Sequence, residues 1–234
     1  MEEQKLKKNP LKIIEIIVFF AIIACFLFAL IYFLIFMPEK NFAVQLTMRL
    51  IVFPIMLLPF LISKIFKITF PSLICIAFYL FMLISMFLGS FMGLYQILPF
   101  YDFIVHVISG VLFGLISLCL LPAFCREKNY SAFFAFLFVF SFALMIGGVW
   151  EIYEFTVDGL LGQNCQRFMK DGVMLVGRDA LLNTMTDLIA DAVGALIAGL
   201  IALILALKNK DFITLFQIRR KKKIEENYFD DNSN

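Results

Sequence analysis

The stretch YDFIVHVISGVLFGLISLCLL, residues 101 to 121, is apolar but for Asp102, His106 and two serines. It reaches the about 20 residues that a helix needs to cross a bilayer, so it reads as a membrane span. Asp102 and His106 stand one helical turn apart and share a face. Two more apolar stretches repeat the device: 131 to 156 carries Glu151 and Glu154, and 181 to 207 carries Asp187 and Asp191. A carboxylate in hydrocarbon costs at least a few kcal/mol, so each pair must face protein or water and marks a functional site.

Composition agrees with a membrane protein: 62% of residues are hydrophobic, 16% are charged and 30 are phenylalanine, with mean hydropathy +0.95. Such values lie outside the range of soluble domains, and the expected partners are membrane lipids, with no nucleic acid. The expected fold is all-α, a polytopic transmembrane helical bundle of about six spans: 13 to 37, 43 to 63, 71 to 93, 101 to 121, 131 to 156 and 181 to 207. Lys5, Lys7, Lys8 and Lys12 precede the first span, Lys64 and Lys67 lie in the second connection, Arg126 and Lys128 in the fourth, and Lys208, Lys210 and Arg219 to Lys223 follow the last. Basic residues gather on the cytoplasmic side, which places both termini there in a multi-pass protein of the bacterial cytoplasmic (inner) membrane. The organisation is a basic amino terminus at 1 to 12, one transmembrane domain at 13 to 207 and a basic and polar tail at 208 to 234.

The first span is read as an uncleaved helix rather than a signal peptide, because it runs on for about 25 residues without a small-residue cleavage pattern. Cys25, Cys75, Cys119, Cys125 and Cys165 have no metal-type spacing and form no disulfide framework in this reading. The 157 to 180 connection faces outward and reads equally as a lid over the site or as an irregular loop. The apolar residues from Phe212 to Ile218, followed by the basic run, suit a helix lying on an anionic inner leaflet, although the more modest role of an orientation signal is preferred.

Helix rise turns residue numbers into depths. His106 lies roughly 6 Å deeper than Asp102, Glu154 and Glu151 about 3 and 8 Å below the outer edge, and Asp187 and Asp191 about 9 and 15 Å down. Arg49, sharing a face with Gln45 in the second span, reaches a similar depth, about 9 Å. Five carboxylates against Arg49 leave negative charge that a divalent metal, shared protons, a water-filled vestibule or the loop cations Arg167, Lys170 and Arg178 must neutralise. A lone carboxylate would more often fix helix packing through one hydrogen bond; three same-face pairs at one depth favour a site. Gly110 and Gly114, Gly147 and Gly148, and Ala190, Gly194 and Ala198 let the helices that carry them approach closely. Tyr95, Tyr101, Trp150 and Tyr153 are assigned to the outer aromatic belt.

Three blocks in order carry a resemblance: Tyr101-Asp102-x3-His106-x3-Gly110, then Gly148 to Glu154, then Asn183-Thr184-x2-Asp187-x3-Asp191-x2-Gly194-Ala195. Together they resemble the YjdF-like family of bacterial inner-membrane proteins, over residues from about 95 to 200. The first and last blocks are also similar to blocks of VanZ-like membrane proteins, which are associated with low-level resistance to teicoplanin-type antibiotics. The resemblance implies a helical bundle in the membrane and no settled activity. The third block of the family often opens with an acidic residue where this chain has Asn183, which removes one anionic ligand.

Three functions compete. The first is a metal-dependent hydrolase or transferase acting on a lipid or lipid-linked envelope substrate at the outer leaflet. In it, His106, Glu151, Asp187 and Asp191 hold a divalent metal, zinc or manganese; Glu151 and Asp187 are catalytic; and Arg49, Asp102 and Glu154 bind substrate. The second is a non-catalytic envelope accessory protein, and the third a proton- or cation-coupled transporter, for which neither a two-fold repeat nor an interrupted mid-membrane helix is visible. Oligomeric state has no signature in the sequence.

In intact cells, an impermeant thiol reagent is expected to label a cysteine introduced into the 157 to 180 connection and to spare one placed between residues 215 and 230. The reverse pattern would move the site to the inner leaflet.

Overall fold

The computed structural model describes residues 10–36, 46, 49–124 and 130–220. The chain opens with α1 (Pro10–Phe36), followed by α2 (Val52–Met56), α3 (Leu58–Ile65) and the short strand β1 (Ile68–Thr69). Next come α4 (Ser72–Met82), which continues as a π-wound stretch Leu83–Phe91, then α5 (Leu94–Ile97), α6 (Tyr101–Ser117) and α7 (Leu121–Phe124). The long α8 (Ala132–Leu161) and α9 (Arg178–Lys208) flank a hairpin of β2 (Met169–Lys170) and β3 (Val173–Met174). A 3-10 helix, Lys210–Phe216, and β4 (Arg219–Arg220) close the described chain.

Among the described residues, four helical runs are long and apolar enough to cross a membrane: Pro10–Phe36, Ser72–Phe91, Ala132–Leu161 and Arg178–Lys208. The fourth expected span, 101 to 121, is helical for 17 residues. Beyond Ser117 the chain tightens into i to i−3 bonds, Leu118 to Leu115 at 3.2 Å, Cys119 to Ile116 at 2.9 Å and Leu120 to Ser117 at 2.9 Å. Pro122 lies just ahead and disfavours a continued α-helix. The second expected span is helical in two pieces that meet at Leu57, between Pro54 and Pro59, each of which removes a backbone donor. Its residues 43 to 45, 47 and 48, Gln45 among them, lie outside the described residues, as do Lys5, Lys7, Lys8, Cys125, Arg126, Lys128 and the tail from residue 221. Cys25, Cys75, Cys119 and Cys165 are free thiols.

Two packed layers result. In the amino-terminal one, Ile22 and Phe26 of α1 meet Val52, Met56, Cys75, Tyr79 and Met82. In the carboxy-terminal one, α6, α8 and α9 pack through small residues: a Cβ on Gly110 would sit 2.6 Å from the Asp191 carbonyl oxygen, and one on Gly194 2.9 Å from the Gly110 Cα. Such contact lets backbones approach where lipid offers no hydrophobic drive for association. The outward faces carry large apolar side chains, Phe20, Phe28 and Phe133 among them, which meet lipid.

Hydrogen bonds sort the connections onto two ends of the bundle. β1 pairs antiparallel with β4, which brings the connection after α3 to the tail. At the other end, Arg167 reaches the carbonyl of Tyr95 and the carboxylate of Asp102. The described part of the tail, to residue 220, does not form an amphipathic α-helix. Phe212 and Ile213 are buried against Leu118, Leu121, Tyr130 and Ala206, because the 3-10 turn folds them back under α8 and α9.

The connection between α8 and α9 is shorter than 157 to 180 and is folded. α8 continues to Leu161 and stops at Gly162, whose φ of 61° suits the left-handed cap position. Asp171 and Gly172, both at positive φ (52° and 79°), make the tight turn that joins β2 to β3.

Gly194→Val is expected to destabilise the fold by about 1–3 kcal/mol or prevent folding, because its neighbours, the Val107 carbonyl and the Val111 nitrogen, are backbone atoms that cannot rotate away. Gly148→Val, where a Cβ meets nothing within 4 Å, should cost far less. Thermal unfolding in one detergent compares them.

Candidate functional site

Helix periodicity and close packing bring the three ionisable pairs together. α6 presents Asp102 in its first turn and His106 one turn later. His106 Nδ1 lies 3.2 Å from Asp191 Oδ2 on α9, and Nε2 lies 3.8 Å from Asp102 Oδ1. The other oxygen of Asp191 accepts a hydrogen bond from Ser109 at 2.8 Å. Gly147 makes this possible, since any side chain there would drive α8 into the Asp191 carboxylate.

Ligating atoms of Asp102, His106 and Asp187 lie within 4.8 Å of one another. Ligands about 2.1 Å from one tetrahedral ion stand roughly 3.4 Å apart, so small side-chain rotations would bring these atoms to metal-binding separation. Asp187 is 2% exposed, and its Oδ1 is buried with no hydrogen-bond partner among the described residues. A buried carboxylate oxygen without a donor is costly unless it is protonated or meets a cation.

Glu151, on α8, is also buried. Its Oε2 accepts a hydrogen bond from Gln166 at 3.2 Å, while Oε1 has no partner among the described residues. Glu151 lines a cavity of about 620 Å³ between α8 and α9, together with Thr184, Gln166 and Asp158. One turn on, Glu154 accepts the Trp150 indole N–H at 2.9 Å. Trp150 therefore serves a carboxylate of the site, beyond the interfacial role expected for it.

The folded connection between α8 and α9 closes the mouth. Asp158 accepts the backbone N–H of Cys165 at 2.7 Å and of Gln166 at 2.9 Å, which folds the chain back over α8. Arg167, held at φ 50°, pairs with Asp102 Oδ2 at 2.8 Å and donates to the Tyr95 carbonyl at 3.3 Å. Asn183 donates to the same Asp102 oxygen at 3.3 Å. Tyr95 is fixed in turn by its ring, which packs on Gly89 of the π-wound stretch, where no side chain would fit. Tyr101 donates to the Ile84 carbonyl at 2.7 Å and anchors the start of α6.

Of the residues expected at the site, Asp102, His106, Asp187 and Asp191 meet directly, and Glu151 and Glu154 lie close enough to interact with them electrostatically. The Arg49 guanidinium lies 4.0 Å over the Phe33 ring and 5.5 Å from that of Phe91, against α1 and the π-wound stretch. Of the loop cations Arg167, Lys170 and Arg178, one of four means of offsetting the carboxylates offered by the sequence, Arg167 pairs with Asp102. Ser109, Gln166 and Asp158 were not foreseen as site residues. Ser109 shares the His106 face at i+3, and Asp158 continues the 151 and 154 stripe, so both had a periodic signal. Gln166 had none, because loop geometry placed it.

The chain matches the family model described as Predicted membrane protein (DUF2238) over residues 18–209, and it belongs to that family. This is the YjdF-like family that the three blocks resemble; the VanZ-like similarity is not shown. No curated protein and no solved structure matches the chain.

Burial and, after it, the Asp158 carboxylate push the Cys165 thiol from 9.0 up to about 12. Its thiolate fraction near pH 8 should therefore be lower than that of an ordinary thiol by roughly three orders of magnitude. Alkylation of Cys165, followed by peptide mass spectrometry, is expected to be slow at pH 8, to rise up to about pH 12, and to accelerate in Asp158→Asn.

Proposed function

We propose that this family member is a metal-dependent hydrolase or transferase of the bacterial inner membrane, with six passes and both termini cytoplasmic, acting on a lipid or lipid-linked substrate at the outer leaflet. The observation that carries the reading is the partnerless, buried Asp187 oxygen beside His106 and Asp102. Asp102, His106 Nε2 and Asp187 are the three ligands. Asp191 acts one step behind them, accepting from His106 Nδ1 and fixing the ring so that Nε2 carries the lone pair. A carboxylate behind a metal-bound histidine is a common arrangement and raises the basicity of the ligand.

A zinc or manganese ion held there would make a bound water acidic and stabilise charge developing on the substrate oxygen. Glu151 is the base: its free Oε1 takes a proton from the attacking water or hydroxyl and returns it to the leaving oxygen. Arg167 offsets the charge of Asp102 and closes the water side. Arg167, and not Arg49, is the cation of this site.

One observation favours a second reading. His106 has a carboxylate near each ring nitrogen, from two different helices, an arrangement that also suits an imidazolium in a proton-coupled carrier. Metal titration separates the two. Protein in nanodiscs under metal-buffered conditions should bind one zinc or manganese, more weakly as pH falls because the ligands must be deprotonated. Asp187→Asn and His106→Ala should weaken binding at least tenfold, Asp191→Asn by about 10–100-fold, and Glu151→Gln little. Folded protein that takes up neither metal and keeps its thermal stability on adding them would shift the assignment to the carrier or to an accessory role.

A further inference from the structure

The cavity beside Glu151 has a chemistry that names the class of substrate. Polar groups line its floor: Glu151 and Asp158 from α8, Gln166 from the outer connection and Thr184 from α9. Its lips are apolar, with Ile152 and Phe155 on α8 and Leu181 on α9, and these three are 66%, 70% and 60% exposed. On membrane helices, exposed side chains of this kind meet hydrocarbon, so the cavity opens sideways into the bilayer. Toward water it is covered by the segment that Asp158 folds back through Cys165 and Gln166.

Its volume, about 620 Å³, falls in the range of small-ligand sites, about 300–1,000 Å³. Glu151 is 95% buried, with Oε1 lacking a partner among the described residues, and no lysine or arginine lines the cavity. A phosphate placed against Glu151 and Asp158 would be repelled, whereas a group that donates a hydrogen bond would satisfy the free oxygen.

We infer that this groove seats the head of an outer-leaflet lipid that carries a hydrogen-bond donor, a hydroxyl or an ammonium group, against Glu151, while its acyl chain leaves between Phe155 and Leu181 into the bilayer. As a statement about substrate it rests on the catalytic reading above; occupancy of the groove requires no metal. Gly159 gives a means of blocking the groove, since it lines the cavity and a Cβ added there meets nothing within 4 Å. Gly148, about three turns deeper on the same face and equally open, is the matched control.

The experiment uses the full chain in nanodiscs containing trace lipids with a photoreactive acyl chain: diacylglycerol, phosphatidylethanolamine or, without a donor in its head, phosphatidylcholine. Cross-links are mapped by mass spectrometry. Diacylglycerol, phosphatidylethanolamine or both should label residues 152–159 and 181–184 at least threefold more than phosphatidylcholine, and whichever is enriched identifies the donor. Glu151→Leu should abolish the preference. Gly159→Phe should remove groove labelling by every lipid and Gly148→Phe should leave it; if Gly159→Phe lowers thermal stability, Leu181→Trp blocks the groove from the other helix. Equal labelling by all three lipids, or labelling that survives both blocking variants, would overturn the inference. Runs with a chelator and with added zinc keep the tests apart: groove labelling that persists with the chelator upholds the inference even where zinc does not bind.

Discussion

Carboxylates placed in hydrocarbon must be neutralised, and the carboxy-terminal half of the molecule is organised around that constraint. Asp102, Glu151, Glu154, Asp187 and Asp191 stand on three helices, and each costs several kcal/mol if left charged and alone. The structure answers them one at a time. Arg167 and Asn183 serve Asp102, Trp150 serves Glu154, Ser109 and His106 serve Asp191, and Gln166 serves one oxygen of Glu151. The second oxygen of Glu151 and one oxygen of Asp187 receive no such partner among the described residues. Structural use of charge stops at those two atoms, and chemistry becomes the better account of them.

That arrangement depends on how closely the backbones approach. Gly110 and Gly194 set α6 against α9, and Gly147 sets α8 over the Asp191 carboxylate. A methyl group at Gly110 or Gly194 would stand under 3 Å from backbone of the facing helix, and one at Gly147 would stand under 3 Å from the Asp191 carboxyl carbon, so the helices or the carboxylate would have to shift to admit it. Small residues in a membrane bundle are usually explained by packing alone. Here the same residues decide whether His106 on α6 can touch Asp191 on α9.

Much of this was legible before any coordinates, for a physical reason. The cost of charge in lipid makes polar residues rare, and helix periodicity then gives them direction. His106, Asp187 and Asp191 could be grouped from spacing and depth alone. Arg49 marks the reach of the argument: depth and face place a residue on its own helix but do not name the neighbours that helix meets, which here include Phe33 and Phe91. Loop residues fail differently. Gln166 and Arg167 reach the site because Asp158 captures two backbone donors and Arg167 adopts a positive φ, and neither feature has a periodic trace in sequence. The end of α6 at Ser117 was hidden for a related reason, as hydropathy continues through Leu121 while hydrogen bonding changes.

The connection between α8 and α9 then does more than close the site. Gln166 covers Glu151 and Arg167 covers Asp102, so residues of one short segment occupy both polar mouths. On the bilayer side, Ile152, Phe155 and Leu181 offer no polar obstacle. A water-soluble substrate would have to displace an ion pair and a hydrogen bond that the fold of this segment holds in place, whereas an amphiphile already in the membrane would displace only lipid. The contrast between a segment that covers the polar groups and apolar side chains that flank the cavity is thus what the proposed lipid substrate rests on, independent of which ion or proton completes Asp187.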